Sequence, residues 1–343
     1  MTASDLVQTA RALVAPGKGI LAADESTGTI KKRFDGIGVE STEDTRRAYR
    51  ELLFTTPGIG EFIAGVILFD ETIRQSASDG RRFVDVLGAQ GVIPGIKVDK
   101  GAKALAGAPG EKVTEGLDGL RERLAEYAGL GARFAKWRAV ITIGEGIPSA
   151  TCLEVNAHAL ARYAALSQEA GLVPIVEPEV LMDGDHTLER CAEVTEAMLN
   201  RTFDQLYLQR VMLEGMLLKP NMVLSGAEHR PTAGVEAVAR ATVRILKRTV
   251  PAAVPGIVFL SGGQSDEAAT AHLDAMNRLA DEGPLPWRLS FSYGRALQAP
   301  ALKTWGGRAE NAEAASRAFH HRARLNGAAT AGRYSPEMER EAA

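Results

Sequence analysis

The chain has 343 residues, of which 45% are hydrophobic and 24% are charged, with a formal net charge of −3. These values are typical of a globular protein, and the length suits a barrel of alternating strands and helices. The basic residues are dispersed along the chain, so there is no reason to expect nucleic acid or a membrane surface as a partner.

Neither of the two cysteines, Cys152 and Cys191, stands in a spacing typical of a metal or redox site. The N-terminus shows helical spacing and lacks the apolar core of a signal peptide. The longest apolar run, residues 62–69, is too short to cross a bilayer. We therefore expect a cytoplasmic protein.

Eight short apolar segments, mostly alternating with helical patterns, predict a (β/α)8 barrel. The predicted strands are 19–25, 62–69, 92–99, 134–141, 173–179, 215–223, 256–263 and 287–294. An N-terminal helix precedes them, and the later helices are predicted at 41–56, 114–129, 154–171, 187–213, 234–249, 265–281 and 310–325. We expect residues 1–343 to form one domain, with a flexible C-terminal tail at 326–343 because that stretch is small and polar.

Charged residues occur at the carboxyl ends of five of these strands. They are Asp24, Lys97 with Asp99, Lys136 with Arg138, Glu177 with Glu179, and Lys219. Residues two apart on a strand point to the same side, and the carboxyl ends of barrel strands meet where active sites are built. Any single charge could be a solvated rim residue or part of a structural ion pair. Charges on five strands at the same end favour an active site.

Lys219 interrupts a segment that otherwise reads as a buried strand. A lysine is seldom buried unless something pairs with it or uses it. It could extend to water, or burial could destabilise its ammonium and supply a neutral amine that attacks a carbonyl. Positive charge from Lys97, Lys136 and Arg138, together with burial, favours the second interpretation.

A Schiff base on Lys219 would accept electrons from an adjacent carbanion, and its formation requires proton transfer. Glu177 and Glu179 are the predicted proton shuttles, because two carboxylates held close together ionise less readily. Asp24 is predicted to take a proton from a substrate hydroxyl. Lys136 completes the set of five predicted catalytic residues.

Two anion sites are predicted at the mouth of the barrel. Ser261 and Gly262 follow the seventh strand and open a helix, and Gly294 and Arg295 follow the eighth, where barrels often bind phosphate. The second site would use Ser26, Thr29, Arg33 and Lys97, whose alternative interpretation is a helix cap beside a solvated basic face. Two such sites beside one amine suggest a bisphosphorylated sugar substrate.

The six histidines are scattered, and no cluster has a transition-metal spacing. We therefore expect no metal and no other cofactor.

Several motifs resemble those of class I fructose-1,6-bisphosphate aldolases, along nearly the whole chain. They are GILAADESTG (19–28), GVILF (65–69), GIKVDKG (95–101), FAKWR (134–138), PIVEPE (174–179), LLKPNM (217–222), FLSGGQS (259–265) and FSYGRAL (291–297). The resemblance implies a carbon–carbon lyase of glycolysis and gluconeogenesis. Such an enzyme cleaves fructose 1,6-bisphosphate reversibly to dihydroxyacetone phosphate and glyceraldehyde 3-phosphate, and is usually a homotetramer.

By the same resemblance, Lys219 matches the Schiff-base lysine, Glu177 the main proton shuttle and Glu179 its neighbour. Lys136 matches a lysine that assists carbinolamine chemistry, and Asp24 matches the aspartate at the C4 hydroxyl. One phosphate site of the family is matched by Ser261, Gly262, Gly294 and Arg295, with Arg33 close by. The other phosphate site is matched by Ser26, Thr29 and Lys97. Arg138 matches a family arginine near the substrate.

The C-terminus departs from the pattern of the animal enzymes in this family, whose last residue is a tyrosine that exchanges a proton with the enamine. This chain ends in Ala343, and its last tyrosine is Tyr334. We predict that Tyr334 does not take that role. The missing terminal tyrosine leaves the substrate preference open.

Three alternatives remain at this point. A related barrel lyase could act on another ketose phosphate, and a non-catalytic sugar-phosphate-binding or scaffold protein could keep the fold. The non-catalytic protein would be expected to lack a member of the catalytic set, but Lys219, Glu177, Lys136 and Asp24 are all present. A metal-dependent aldolase predicts a histidine cluster and inhibition by chelators.

Overall fold

Eight parallel strands form a closed barrel in which every strand pairs with its neighbours in chain order, in a computed structural model that describes residues 2–340. The strands are β1 (Gly19–Ala23), β2 (Ile63–Leu68), β3 (Ile93–Lys97), β4 (Phe134–Ile141), β5 (Val173–Val180), β6 (Leu217–Leu218), β7 (Gly256–Phe259) and β8 (Arg288–Tyr293). The predicted (β/α)8 barrel is confirmed.

Helices surround this barrel. They are α1 (Ala3–Leu13), α2 (Thr27–Asp35), α3 (Glu43–Phe54), α4 (Asp70–Ile73), α5 (Phe83–Ala89), α6 (Leu120–Leu130), α7 (Ala150–Glu169), α8 (Leu188–Leu208), α9 (Val235–Thr249), α10 (Asp266–Arg278), α11 (Arg295–Trp305) and α12 (Ala312–Ala329). Most of the buried apolar residues form one core between the strands and these helices. No helix within residues 2–340 is long and apolar enough to span a membrane.

A second, smaller core lies inside the barrel, and α1 contributes to it. Leu6, Ala10 and Leu13 of α1 cluster with inward-facing strand residues. Glycine is needed where the helix end meets the strands, because a Cβ on Gly65 would lie 2.6 Å from Leu13 and one on Gly256 would lie 2.6 Å from the Val14 side chain. The helix therefore closes the amino-terminal end of the barrel and leaves the carboxyl end for a site.

On the inward face of the strands, apolar residues are followed two positions later by charged ones. Phe134 belongs to the interior cluster, and Lys136 follows it on the same face of β4. Ile175 likewise precedes Glu177 and Glu179 on β5. The interior is thus apolar at its base and charged at its carboxyl end.

The segment around Lys219 is less regular than predicted. Instead of a strand over 215–223, β6 contains only two residues, and a short 3-10 helix, Leu213–Gly215, precedes it. Pro220 has no N–H to continue a ladder. Lys219 N still donates to the Val176 carbonyl at 2.8 Å, so the lysine stays against the barrel wall.

The segment predicted as a helix over 114–129 also differs. An antiparallel hairpin joins Ala102–Ala104 to Lys112–Thr114, and α6 begins only at Leu120. Gly116 and Gly119 have positive φ angles of 128° and 64°, which a right-handed helix does not accommodate. Helix α11, which follows the predicted eighth strand, was not foreseen in the sequence.

The region predicted to be a flexible tail begins inside α12, which continues to Ala329. Asn326 is fully buried, and Tyr334 is 4% exposed, with its hydroxyl 2.9 Å from Glu339. Residues 341–343 of the predicted tail lie outside the described residues. The flexibility of 326–343 and the single-domain organisation of 1–343 stay predictions.

Candidate active site

A cavity of about 570 Å³ lies at the carboxyl end of the barrel. All fourteen residues predicted to form the catalytic and binding site line it, namely Asp24, Ser26, Thr29, Arg33, Lys97, Lys136, Arg138, Glu177, Glu179, Lys219, Ser261, Gly262, Gly294 and Arg295. Seven cationic side chains outnumber five carboxylates in its wall, so the cavity favours an anionic ligand.

Lys219 lies in the wall of this cavity and is only 4% exposed. Its Nζ is 3.2 Å from Oε1 of Glu177, which is equally buried. The side chain therefore does not extend to open water, and a carboxylate able to exchange protons lies against the amine.

Lys136 is the charged centre of the site. Its Nζ lies 2.7 Å from Asp24, 3.4 Å from Glu177 and 3.9 Å from Asp99. Burial alone would lower the pKa of Lys136, but the three carboxylates, Asp24 foremost, raise it above its ordinary value. Lys136 is thus a permanent cation at neutral pH.

Asp24 is the anion that pairs with Lys136. Burial alone would raise the pKa of this carboxyl, but Lys136, and then Lys219 and Lys97, hold it well below its usual range. Asp24 is therefore ionised at neutral pH and can accept a hydrogen bond or a proton from a ligand hydroxyl.

The remaining cations expected to surround Lys219 are themselves paired. Lys97 Nζ is 2.7 Å from Asp99, and Arg138 forms an ion pair with Glu179. Each of these cations therefore has its own carboxylate, so the positive charge predicted near Lys219 is partly balanced. Glu177 and Glu179 are likewise each paired with a cation, and their role as proton shuttles stays a prediction.

The predicted phosphate site after β7 and β8 is built from backbone groups and one arginine. Gly262 is in the left-handed region, with φ 55°, and its carbonyl accepts from Nη2 of Arg295 at 2.5 Å. Helix α11 starts directly after Gly294, and α10 starts after Ser265, so two helix N-termini lie in this region.

Arg33 lies at this same site. Its Nη2 is 3.5 Å from the position that a Cβ on Gly294 would take. Of the two placements considered for Arg33, the geometry supports the one beside Gly294.

The second predicted anion site lies at the start of α2. Ser26 is the N-cap of this helix, and its hydroxyl is 3.1 Å from that of Thr29. Lys97 lines the cavity beside them. The capping interpretation is therefore correct for Ser26, and a helix N-terminus is also a favourable place for an anion.

Comparison with known proteins agrees with this arrangement. A sequence model described as fructose-bisphosphate aldolase class-I matches residues 5–343. The chain belongs to the class-I fructose-bisphosphate aldolase family. It is therefore a carbon–carbon lyase of glycolysis that acts on a sugar bisphosphate, and a Schiff base is characteristic of this class of aldolase.

Three similar proteins illustrate the aldolase relationship. A probable fructose-bisphosphate aldolase class 1 of Xanthomonas campestris pv. campestris is 62% identical over 335 residues, which cover 97% of this chain and 99% of that protein. Cytosolic fructose-bisphosphate aldolase 4 of Arabidopsis thaliana is 56% identical over 98% of this chain and 85% of its own. A solved structure of Plasmodium falciparum fructose-bisphosphate aldolase, crystallised with TRAP and an inhibitor, is 52% identical with a TM-score of 0.95, covering 97% of this chain and 95% of its own.

Sequence reasoning omitted several residues from the aldolase site. Asp99 lines the cavity and also accepts the backbone N–H of Arg138 at 3.2 Å. The sequence placed Asp99 beside Lys97 among the strand-end charges but gave it no role in the site. Glu25 and Ser292 also line the cavity, and the Ser292 hydroxyl is buried without a hydrogen-bond partner among the described residues. No sequence pattern distinguishes Ser292 from other strand serines.

Proposed function

We propose that Lys219 is the amine that forms the Schiff base in this aldolase, with fructose 1,6-bisphosphate as substrate. The observation that carries the proposal is the buried Lys219 Nζ, 3.2 Å from Glu177 within the cavity. The amine adds to the C2 carbonyl of the substrate, and loss of water then gives an iminium.

Proton transfer in these steps is assigned to Glu177. One of its oxygens contacts Lys219, and the other is 3.4 Å from Lys136. Glu177 can thus take a proton from the attacking amine and return one to the departing hydroxyl. Lys136 supplies a fixed positive charge beside the developing alkoxide, and Glu179 keeps Arg138 at the rim near substrate.

Carbon–carbon cleavage is assigned to Asp24 and the iminium. Asp24 takes the proton of the C4 hydroxyl, the C3–C4 bond breaks, and its electron pair moves into the iminium to give an enamine. Glyceraldehyde 3-phosphate leaves as the aldehyde. Protonation and hydrolysis of the enamine then release dihydroxyacetone phosphate and the free lysine.

The phosphates are assigned to opposite sides of the cavity. Ser261, Gly262, Gly294 and Arg295, with Arg33, bind one phosphate, and Ser26, Thr29 and Lys97 bind the other. The helix N-termini at both places support this assignment.

Oligomeric state and location belong to the same proposal. We propose a homotetramer, by resemblance to the family, in the cytoplasm. The cytosolic location in the name of the Arabidopsis thaliana aldolase 4 supports the cytoplasmic assignment.

Borohydride trapping with dihydroxyacetone phosphate tests the Schiff-base assignment. Reduction leaves a stable mass on the lysine that formed the imine, and peptide mapping identifies that lysine. We expect the adduct on Lys219 in the wild-type chain and none in Lys219→Met. An adduct on another lysine would overturn the assignment.

Activity in the presence of a chelator tests the expectation that no metal is needed. Within residues 2–340, no group of three or more histidine, cysteine, aspartate or glutamate side chains is arranged to hold a metal ion. We expect unchanged cleavage after chelation. Lost cleavage together with no trapped lysine would instead support a metal-dependent reaction.

A further inference from the structure

A buried carboxylate joins two arginines beside the active-site cavity. Glu25 follows β1 and is 7% exposed. Its Oε1 accepts from Nη1 of Arg33 on α2, and its Oε2 accepts from Nη2 of Arg50 on α3 at 2.6 Å. Arg50 is 3% exposed and does not line the cavity, so it contacts Glu25 from behind.

Gln298 on α11 holds the same carboxylate in a fixed orientation. Its Nε2 donates to Oε1 of Glu25 at 2.9 Å and to the Ala22 carbonyl at 2.7 Å. Its Oε1 accepts from the Tyr49 hydroxyl at 3.1 Å. Because the amide is occupied at both ends, its donor group must face Glu25. The carboxylate is therefore fixed from three separate helices.

Arg33 uses only one end of its guanidinium in this network. Nη1 binds Glu25, while Nη2 lies beside Gly294 and has no hydrogen-bond partner among residues 2–340. The planar fork of an arginine is rigid, so anchoring one nitrogen fixes the direction of the other. Nη2 is thus held ready to donate at the place where the backbone of Gly294 opens helix α11.

The charge balance explains why a second arginine is present. A single carboxylate paired with Arg33 alone would cancel the positive charge offered to a ligand. With Arg50 on the other oxygen, the group of three carries one net positive charge. Nη1 of Arg50 is buried without a partner in the described chain, so no second carboxylate cancels that charge.

We propose that Glu25, supported by Arg50 and Gln298, is a positioning residue that aims Arg33 at the phosphate bound beside Gly294. Glu25 does not touch the ligand itself and acts through Arg33. The inference rests on the proposed assignment of a phosphate to this side of the cavity. It adds that the strength of this phosphate contact depends on Glu25 and, behind it, on Arg50 and Gln298, which do not line the cavity.

A double-mutant cycle between Glu25→Gln and Arg33→Ala tests the proposal, with inorganic phosphate as a competitive inhibitor of cleavage. Arg33→Ala removes a charge-assisted hydrogen bond, which raises the inhibition constant about tenfold or more. Glu25→Gln keeps the shape but lets Arg33 move away, so we expect a rise of similar size. The double variant should be no weaker than Arg33→Ala alone, because Glu25 acts through Arg33.

Further measurements separate positioning from a general structural defect. In Glu25→Gln the KM for fructose 1,6-bisphosphate should rise while kcat changes less than about threefold. Trapping of unphosphorylated dihydroxyacetone on Lys219 should be unchanged. Glu25→Asp keeps the charge and should recover part of the phosphate affinity. Glu71→Gln, which breaks the comparable Arg46–Glu71 ion pair away from the cavity lining, is the matched control and should leave the inhibition constant unchanged.

Two outcomes would overturn the inference while leaving the Schiff-base assignment intact. One is a wild-type inhibition constant in Glu25→Gln. The other is independent, multiplicative effects of the two changes, which would mean that Glu25 does not act through Arg33. If Glu25→Gln does not fold, Arg50→Lys replaces it in the same cycle. It should raise the inhibition constant severalfold, and only when Arg33 is present.

Discussion

Removing the cation at the centre of the site should destabilise the folded chain in a pH-dependent way. Lys136→Met keeps the length of the stem but removes the ammonium that contacts Asp24, Glu177 and Asp99. The three carboxylates would then remain buried with less compensating charge. We expect this substitution to lower the free energy of unfolding at neutral pH.

The distances give the size of the effect. At an effective dielectric constant of about 20, unit charges 2.7 Å apart attract by about 6 kcal/mol, and charges 3.9 Å apart by about 4 kcal/mol. Much of this is offset by the cost of burying the ammonium, and breaking a buried pair on one side costs about 3–5 kcal/mol in net terms. With an unfolding entropy of about 2.1 cal/mol/K per residue, the Tm should fall by about 4–7 °C.

The pH dependence follows from Asp24. In the wild-type chain its folded pKa is depressed, so its contribution to stability is present above the unfolded pKa of about 3.9 and is lost as the pH falls below it. Without Lys136, the folded pKa of Asp24 rises, because only Lys219 and Lys97 then oppose the effect of burial, and the resulting loss of stability becomes smaller on acidification. The raised pKa of Lys136 itself gives a contribution that is constant well below pH 10. The difference in unfolding free energy should therefore shrink between pH 7 and pH 4.

Urea denaturation of the variant and the wild-type chain at pH 7, 5.5 and 4 measures this difference. Lys100→Met is the matched control, because Lys100 is an exposed lysine on the same rim, and its Tm should stay within about 1 °C. Equal destabilisation of Lys136→Met at pH 7 and pH 4 would refute the electrostatic argument. So would wild-type stability at pH 7.

Three further predictions concern the reaction and the C-terminal segment. Lys219→Met should reduce cleavage by at least about a thousandfold, and residual activity within about tenfold of wild type in a steady-state assay would contradict its role as nucleophile. Gly262→Ala forces a side chain into the left-handed region at a cost of about 1–2 kcal/mol and should weaken inhibition by phosphate about tenfold, whereas Gly234→Ala, with open space around its Cβ and φ −74°, should not. Tyr334→Phe should leave both cleavage and proton exchange on dihydroxyacetone phosphate intact, because its hydroxyl bonds Glu339 and does not line the cavity; lost exchange by NMR with intact cleavage would show the reverse.

Much of the site could be read from the order of residues on the strands. A strand alternates its side chains with a period of two, so Lys136 and Arg138 must share a face, as must Glu177 and Glu179. Parallel barrel strands end at one mouth, which brings these pairs to Asp24. This local rule is why the charged strand residues among the fourteen predicted site residues line one cavity.

Pairing between the charged groups was decided only by the tertiary structure. The sequence contains the charges on Lys97, Lys136 and Arg138 but does not say which carboxylate each one meets. The structure pairs them with Asp99, Asp24 and Glu179 in turn. Long side chains reach several neighbours, and their choice depends on register and packing across strands that are distant in the chain.

For Glu25, too, the sequence indicates the position of the residue but not its partners. Its place at the end of β1 follows from the apolar segment before it, whereas its partners come from α2, α3 and α11, up to 273 residues away. From the sequence, Arg50 would be taken for an ordinary exposed charge on a helix, but in the structure it is buried. Local periodicity therefore determined the fold and the composition of the site. The contacts that orient its charges arose only when the barrel closed and its outer helices packed against it.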